Sequence, residues 1–353
     1  MYFGRFLRQG KIRRFSDYKE KYVSVGYSRK KRQSMEKYVD ILLSTYNGEK
    51  YIDQLVKSVL KQSYPYIRLL IRDDRSSDAT VDRILEWKRR FPEKIEYVQD
   101  NKGNLGVTGS MFALLQNSTS DYVMFCDQDD VWFKDKVKNL VRFMESKEQQ
   151  YPEDPILVHC EAYTTDERLN PVNRDKKKNL TAYQSGKNKN QTSFANLLLS
   201  NPVQGASMLF NRKLVQELSV LFDKKIGKTL IYDSIVSSVC SICGRIFLYN
   251  HPLMYYRQHG RNVVGAKKRY LYKMGSYSEK EANELKTAHY LLVNRTKCQL
   301  LKKYYKNKMT DKQKEILEYY MHTPNNWFVF FKLRLYREFS LKQILIMMIY
   351  RIA

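Results

Sequence analysis

The sequence predicts an α/β fold, a mostly parallel sheet flanked by helices, followed by a basic α-helical C-terminal region. Three observations carry this. Over the first 150 residues, apolar runs of strand length alternate with stretches of helical periodicity, the pattern of βα units in one sheet. Several of those runs end in polar or acidic residues, as strands do where a parallel sheet meets its ligand. The charge is also uneven. Of a formal net charge of +26, residues 1–38 hold 12 Lys/Arg against 3 Asp/Glu and residues 267–353 hold 19 against 7, leaving +5 for 39–266. A nearly balanced body, 39–265, is therefore expected between a basic extension, 1–38, and a basic, aromatic-rich region, 266–353.

The elements follow in order. "VDILLSTYN" (39–47) is a strand ending in small polar residues. "EKYIDQLVKSVLKQ" (49–62) has helical spacing at Ile52, Leu55, Val56, Val59 and Leu60. "IRLLIRDD" (67–74) is a strand, and "SDATVDRILEWKRRF" (77–91) a helix that Ser77 or Asp78 caps. "IEYVQD" (95–100) is a third strand. A Gly-bearing loop leads to a helix near 108–117, the strand "DYVMFCD" (121–127), and a helix at 133–147. "ILVHCEAYTTDE" (156–167) is a strand and 174–193 a polar, basic loop. "SFANLLLSN" is a short helix, "GASMLFNRKLVQELSVLF" runs from strand to helix, and "LIYDSIVSSVCSIC" is a helix with Asp233 in its first turns. Residues 245–265 form a strand ending in a polar cluster.

Composition excludes some classes. The five cysteines (126, 160, 240, 243, 298) are odd in number and irregularly spaced, so no disulfide framework is expected. "CSIC" has no second pair to complete a zinc site. No apolar h-region and no run of about 20 apolar residues occurs, so neither a secretory signal nor a membrane span is expected. The segment 326–353 mixes aromatics, aliphatics and Lys/Arg, which suits a helix lying in a membrane interface or one docked on the body.

The stretch "DYVMFCDQDDVW" concentrates the chemistry. Asp127, Asp129 and Asp130 follow an apolar strand within four positions. Acids packed this closely raise one another's pKa unless a cation sits among them. A D-x-D at a strand end suits a hard divalent ion, Mn²⁺ or Mg²⁺, that shares its oxygen ligands with a diphosphate. Phosphate-binding loops of other kinds fail. "GNLGVTG" lacks the G-x-G-x-x-G spacing, and "GKT" at 227–229 has Phe222 where a P-loop needs glycine.

Six segments then occur together in order: "ILLSTYNGEKYIDQLVKSVLKQSYP", "IRDDRSSDAT", "NKGNLGVTGSMFALL", "YVMFCDQDDVWFKDKV", "NPVQGASMLFNR" and "YYRQHGRNVVG". Over residues 39–265 the chain resembles bacterial family 2 glycosyltransferases of the GT-A type, a Rossmann-like fold. "DQDDVW" and "YRQHGRNVVG" most resemble the rhamnosyltransferase-like branch of surface polysaccharide assembly. The resemblance implies roles. Thr45, Tyr46, Asn47, Asp73 or Asp74, Asn104, Gly106, Asp127, Gln128 and Arg257 would bind the nucleotide sugar, Arg257 alternatively serving as an ion-pair partner. Asp129 and His259 would hold the metal. Gln204, Gly205, Asp130 and Trp132 would lie on the acceptor side, Trp132 chiefly shaping the loop. Asp233 aligns with the family's catalytic base, although Ser234-Ile235 replaces the aromatic pair that often follows it.

The resemblance further implies an inverting transfer from dTDP-rhamnose or a UDP-sugar to a polyprenyl-diphosphate-linked glycan. A cytoplasmic enzyme on the inner face of the membrane is expected, held by its cationic flanks to the anionic surface, with a homodimer through the C-terminal region as an alternative role for that region. Three rivals stand beside this. A nucleic-acid-binding protein would explain the charge, but the body is nearly neutral and carries no nucleic-acid motif; a nucleotidyltransferase would share the sheet and acids but release pyrophosphate; a degenerate member would act only as an assembly partner.

Overall fold

The computed structural model describes residues 36–172, 192–199, 201–222, 224, 226, 230–260 and 295–322. The remainder of the basic N-terminal extension, most of the 174–193 loop, the "RNVVG" end of the last motif and the 326–353 segment lie outside the described residues.

The elements are β1 (Val39–Thr45), α1 (Ile52–Leu60), β2 (Ile67–Asp73), α2 (Thr80–Arg90), β3 (Ile95–Tyr97), α3 (Gly106–Asn117), β4 (Tyr122–Asp127), β5 (Val131–Trp132), α4 (Lys136–Gln150) and β6 (Ile156–Thr165). α5 (Phe194–Leu199), β7 (Met208–Asn211), α6 (Arg212–Leu218), α7 (Tyr232–Cys243), β8 (Arg245–Arg257), α8 (295–305) and α9 (Asp311–His322) follow. Each expected strand and helix up to 257 is present. The two-residue β5 was not expected, because Val131-Trp132 is too short to show a periodicity.

One sheet orders the strands β3-β2-β1-β4-β7-β6-β8-β5. β3, β2, β1 and β4 run parallel; β7 runs antiparallel to β4 and β6, β8 parallel to β6, and β5 antiparallel to β8. Register then places the site. Thr45 lies opposite Asp73 and Ser44 opposite Asp127, so the polar ends of β1, β2 and β4 share one edge.

Both faces of the sheet are covered, and this explains why its strands read as continuous apolar runs rather than alternations. Ile41, Leu43, Leu69, Met124 and Cys126 pack with α1, α2 and α4 on one face. Leu42, Leu70, Val123, Phe125 and Phe210 pack with α3, α5, α6 and α7 on the other. Local capping closes elements as their residues dictate: Asp78 accepts the Thr80 N–H at the start of α2, and Asn211 accepts the Leu214 N–H of α6.

The C-terminal region is helical where described, as expected, and it is built into the body. Cys298, Leu301, Tyr305, Met309, Ile316 and Leu317 are buried in the same core as α7. The Tyr305 hydroxyl donates to the Glu217 carbonyl at 2.9 Å, and the Gln313 amide to the Ser241 carbonyl at 3.0 Å. Among the described residues, no helix is long and apolar enough to cross a membrane.

Candidate active site

The ends of β1 and β2 brace each other. Thr45 is buried and donates its hydroxyl to Asp73 Oδ1 at 2.8 Å. Asp73 also accepts the Ser76 N–H and hydroxyl, at 2.8 and 2.6 Å. The next residue, Tyr46, is 53% exposed and is held by its backbone: Gln128 accepts its N–H at 2.9 Å and donates to its carbonyl at 3.0 Å. Asn47 adopts a left-handed φ of 47° and its side-chain oxygen accepts the Ser77 N–H, a conformation Asn tolerates better than most residues. A Cβ at Gly48 would fall 2.4 Å from Gln128 Oε1, so a larger residue there would displace the end of the Gln128 side chain and with it the clamp.

Asp74 has a different duty from its neighbour. It is 3% exposed, pairs with Arg72 at 2.7 Å, and accepts the Leu105 and Gly106 N–H groups and the Ser110 hydroxyl. Its charge therefore satisfies the N-terminal turn of α3. Asn104 donates to the Asp74 carbonyl at 2.9 Å, and Gly106 takes φ 71° to complete the turn. Asp73 thus braces the ends of β1 and β2, and Asp74, with the Asn104 and Gly106 contacts around it, organises the loop before α3.

The acidic loop after β4 is the centre of the site. Asp127 accepts the Tyr232 hydroxyl at 2.9 Å. Burial and the neighbouring Asp129 raise its pKa to about 7. Asp129 Oδ2 lies 2.7 Å from His259 Nε2, and the His259 ring stacks on Tyr51 with centroids 4.9 Å apart. Asp130 and Trp132 are buried, at 0% and 4% exposure, and for Trp132 this agrees with the expected role of shaping the loop. Burial and the adjacent acids push the Asp130 pKa well up.

The protein supplies part of the positive charge near these acids, from Lys136, which no motif singles out, and from Arg257, expected as a diphosphate contact or an ion-pair partner. Lys136 is fully buried under the loop, its ammonium bonded to the Ala206 carbonyl at 2.6 Å and 3.5 Å above the Trp132 ring. Its charge opposes the upward shifts of both Asp127 and Asp130. Arg257 is 4% exposed and spends its guanidinium on the Asp129 carbonyl, the Glu167 carbonyl and Gln54. These bonds tie Arg257 to the acidic loop. Lys136 was legible: it stands four and eight residues before Leu140 and Met144 on the buried stripe of α4. Tyr51, Gln54 and Glu167 carried no comparable signal, because their roles come from tertiary contacts.

Asp233 sits half-buried in the first turn of α7. Its Oδ2 accepts the Gly205 N–H at 3.2 Å, and the Asn201 side chain adds a contact. Burial raises its pKa to about 6. Gly205 is sterically required, since a Cβ there would fall 2.3 Å from the Tyr232 hydroxyl. The shielded amide of Gln204 makes no hydrogen bond with the described residues, so a donor and an acceptor are available near Asp233 for a polar ligand.

Among the described residues, no group of three or more His, Cys, Asp or Glu gathers as a metal cage. The Asp129–His259 pair offers one carboxylate and one imidazole. This fits a divalent ion that keeps its remaining positions for phosphate oxygens and water.

Residues 40–218 match the family model described as Glycosyl transferase family 2. The chain belongs to glycosyl transferase family 2. Asp233, Arg257 and His259 lie beyond the matched span. The chain is 33% identical over 102 residues to the dTDP-rhamnosyl transferase RfbG of Shigella flexneri, covering 28% of this chain and 35% of that protein. It is 36% identical over 108 residues to the putative teichuronic acid biosynthesis glycosyltransferase TuaG of Bacillus subtilis, covering 30% and 41%. It is 32% identical over 106 residues to an Escherichia coli protein, UDP-Glc:alpha-D-GlcNAc-diphosphoundecaprenol beta-1,3-glucosyltransferase WfgD, covering 30% and 40%. The matches thus span about two fifths or less of these relatives. Among solved structures, Staphylococcus aureus TarS 1–349 aligns with a TM-score of 0.48 at 14% identity, covering 82% of this chain and 93% of that one.

Proposed function

We propose that the protein transfers a sugar from a nucleoside-diphosphate sugar to a hydroxyl of a growing bacterial cell-surface glycan, with inversion at the anomeric carbon. The observation that carries this reading is the hydrogen bond from Tyr232 to Asp127. It ties the acidic end of β4 to the first turn of α7, which supports reading Asp233 and the Asp129–His259 pair as one site.

In this reading, Tyr46, Asn47 and Asp73 receive the nucleoside at the ends of β1 and β2, with Asp127 on the ribose side. Asp129 and His259 would hold Mn²⁺ or Mg²⁺, which when bound neutralises charge on the diphosphate. Asp233 accepts the proton of the acceptor hydroxyl as its oxygen bonds to the anomeric carbon and the bond to the diphosphate oxygen breaks. With a pKa near 6, it is ionised at neutral pH yet still basic enough to take that proton. One base without a carboxylate nucleophile gives a single displacement and inversion.

The likeness to RfbG supports dTDP-rhamnose as the donor. The likeness to WfgD supports UDP-glucose as the second candidate and a polyprenyl-diphosphate-linked glycan as the acceptor. Such an acceptor places the enzyme at the inner face of the cell membrane, where the basic flanks meet anionic lipid. Homodimerisation through the C-terminal region belongs to the same proposal.

The test is product analysis. Incubation with each donor, Mn²⁺ and a polyprenyl-diphosphate glycan should release nucleoside diphosphate and a glycan one sugar longer. Pyrophosphate would indicate a nucleotidyltransferase, and no product with any donor would favour a non-catalytic assembly partner.

A further inference from the structure

Lys297 lies on α8, outside the span of the family model, and is 1% exposed. A buried ammonium is costly unless it is hydrogen-bonded and faces an anion. Its Nζ donates to the Leu197 carbonyl of α5 at 2.5 Å and to the Ser234 hydroxyl in the first turn of α7 at 3.0 Å. Both acceptors are neutral. Two titratable groups act on it, Cys298 beside it on α8 and Asp233, the residue before Ser234; burial pushes the Cys298 thiol up to about 12 and keeps it protonated, which leaves Asp233 as the carboxylate. The element that delivers it is anchored, because Cys298, Leu301 and Tyr305 fix α8 in the core.

The groups facing Asp233 come from several elements. Asp127 on β4 is a like charge, and Tyr232 lies on its own helix. The Gly205 N–H and the Asn201 side chain approach from the segment before β7, and Lys297 from α8. Lys297 is the cation of this set.

We propose that Lys297 is a positioning residue for Asp233: it joins α8 to the first turn of α7 and supplies the positive charge that the half-buried carboxylate faces. Its catalytic meaning rests on the reading of Asp233 as base. Burial lowers Lys297 to about 8 and raises Asp233 to about 6, and each charge offsets part of the other's shift. Both are therefore ionised between these values, where a general base must be a carboxylate. A region outside the matched family span thus completes the site.

The test needs no substrate. The folding equilibrium of the full chain is measured by urea denaturation from pH 5 to 8 for the parent, Lys297→Met, Asp233→Asn and the double variant. At pH 7 the two substitutions should be non-additive by roughly fivefold to tenfold in the folded-to-unfolded ratio. The coupling should fade toward pH 5 as Asp233 protonates. Additive effects at every pH would reduce Lys297 to a packing residue and overturn the proposal. Should Lys297→Met fail to fold, nitrogen-15 NMR of the lysine ammonium in the parent and Asp233→Asn decides. The Lys297 midpoint should fall in the variant, and an unchanged midpoint overturns the proposal. Turnover by Asp233→Asn would refute the base assignment alone, since neither readout depends on catalysis.

Discussion

Asp233 has a pH signature of its own. Its folded pKa lies near 6 because burial disfavours the charged form, and a base works only when deprotonated. Transfer should therefore rise with pH through about 6 and level off above it, provided the chemical step limits the rate. Asp233→Asn should lower turnover by about 10²–10⁴ while leaving donor affinity near the parent value, which kinetics and equilibrium binding would separate. Retained turnover would remove Asp233 from the role. Lys136 makes the complementary case for stability. Lys136→Ala removes the ammonium bonded to the Ala206 carbonyl and empties a fully buried site beneath Asp127 and Asp130, and should destabilise the protein by about 2–5 kcal/mol. Lys136→Met keeps the volume and should cost less. Equal denaturation midpoints for the parent and Lys136→Ala would show that the loop does not rely on this cation.

Among the elements, α8 is a structural member of the body. Leu301 is fully buried against the core it shares with α7, so Leu301→Ala should cost about 2–5 kcal/mol in urea denaturation. An unchanged midpoint would mean that α8 is dispensable to the fold. Which elements were legible follows from what periodicity reports. β1, β2 and β4 announced themselves as apolar runs, and their polar ends were legible as one edge because parallel strands share a direction. The order of β7, β6, β8 and β5 was not, since pairing between strands far apart in the chain leaves no local trace. Asp73, Asp129, Asp233 and His259 are expected from motifs, and the structure brings Asp129 to His259 and ties the Asp127 end to α7. Asp74, Asp130, Trp132 and Arg257 share those motifs but are buried by the fold. Sequence spacing could not separate these buried acids and cations from the more exposed acids of the same motifs.

For the molecule as a whole, the +9 and +12 flanks frame a nearly neutral body. The full chain should cosediment with vesicles containing anionic lipid and release as salt rises, since each basic residue near the surface adds about 1 kcal/mol that screening removes. Binding equally strong on neutral vesicles would contradict an electrostatic attachment. The central claim, a nucleotide-sugar site completed by a metal at Asp129 and His259, is tested most directly by thermal stabilisation. The parent and Asp129→Ala are melted with a panel of nucleotide sugars, in Mn²⁺ or in EDTA. A ligand that binds only the folded state at about 100 times its Kd stabilises it by about 2.7 kcal/mol. One donor should raise the melting temperature of the parent in Mn²⁺, and the shift should vanish in EDTA and in Asp129→Ala. A shift of the same size under all three conditions would contradict the metal site, and no shift with any donor would contradict a preformed donor site.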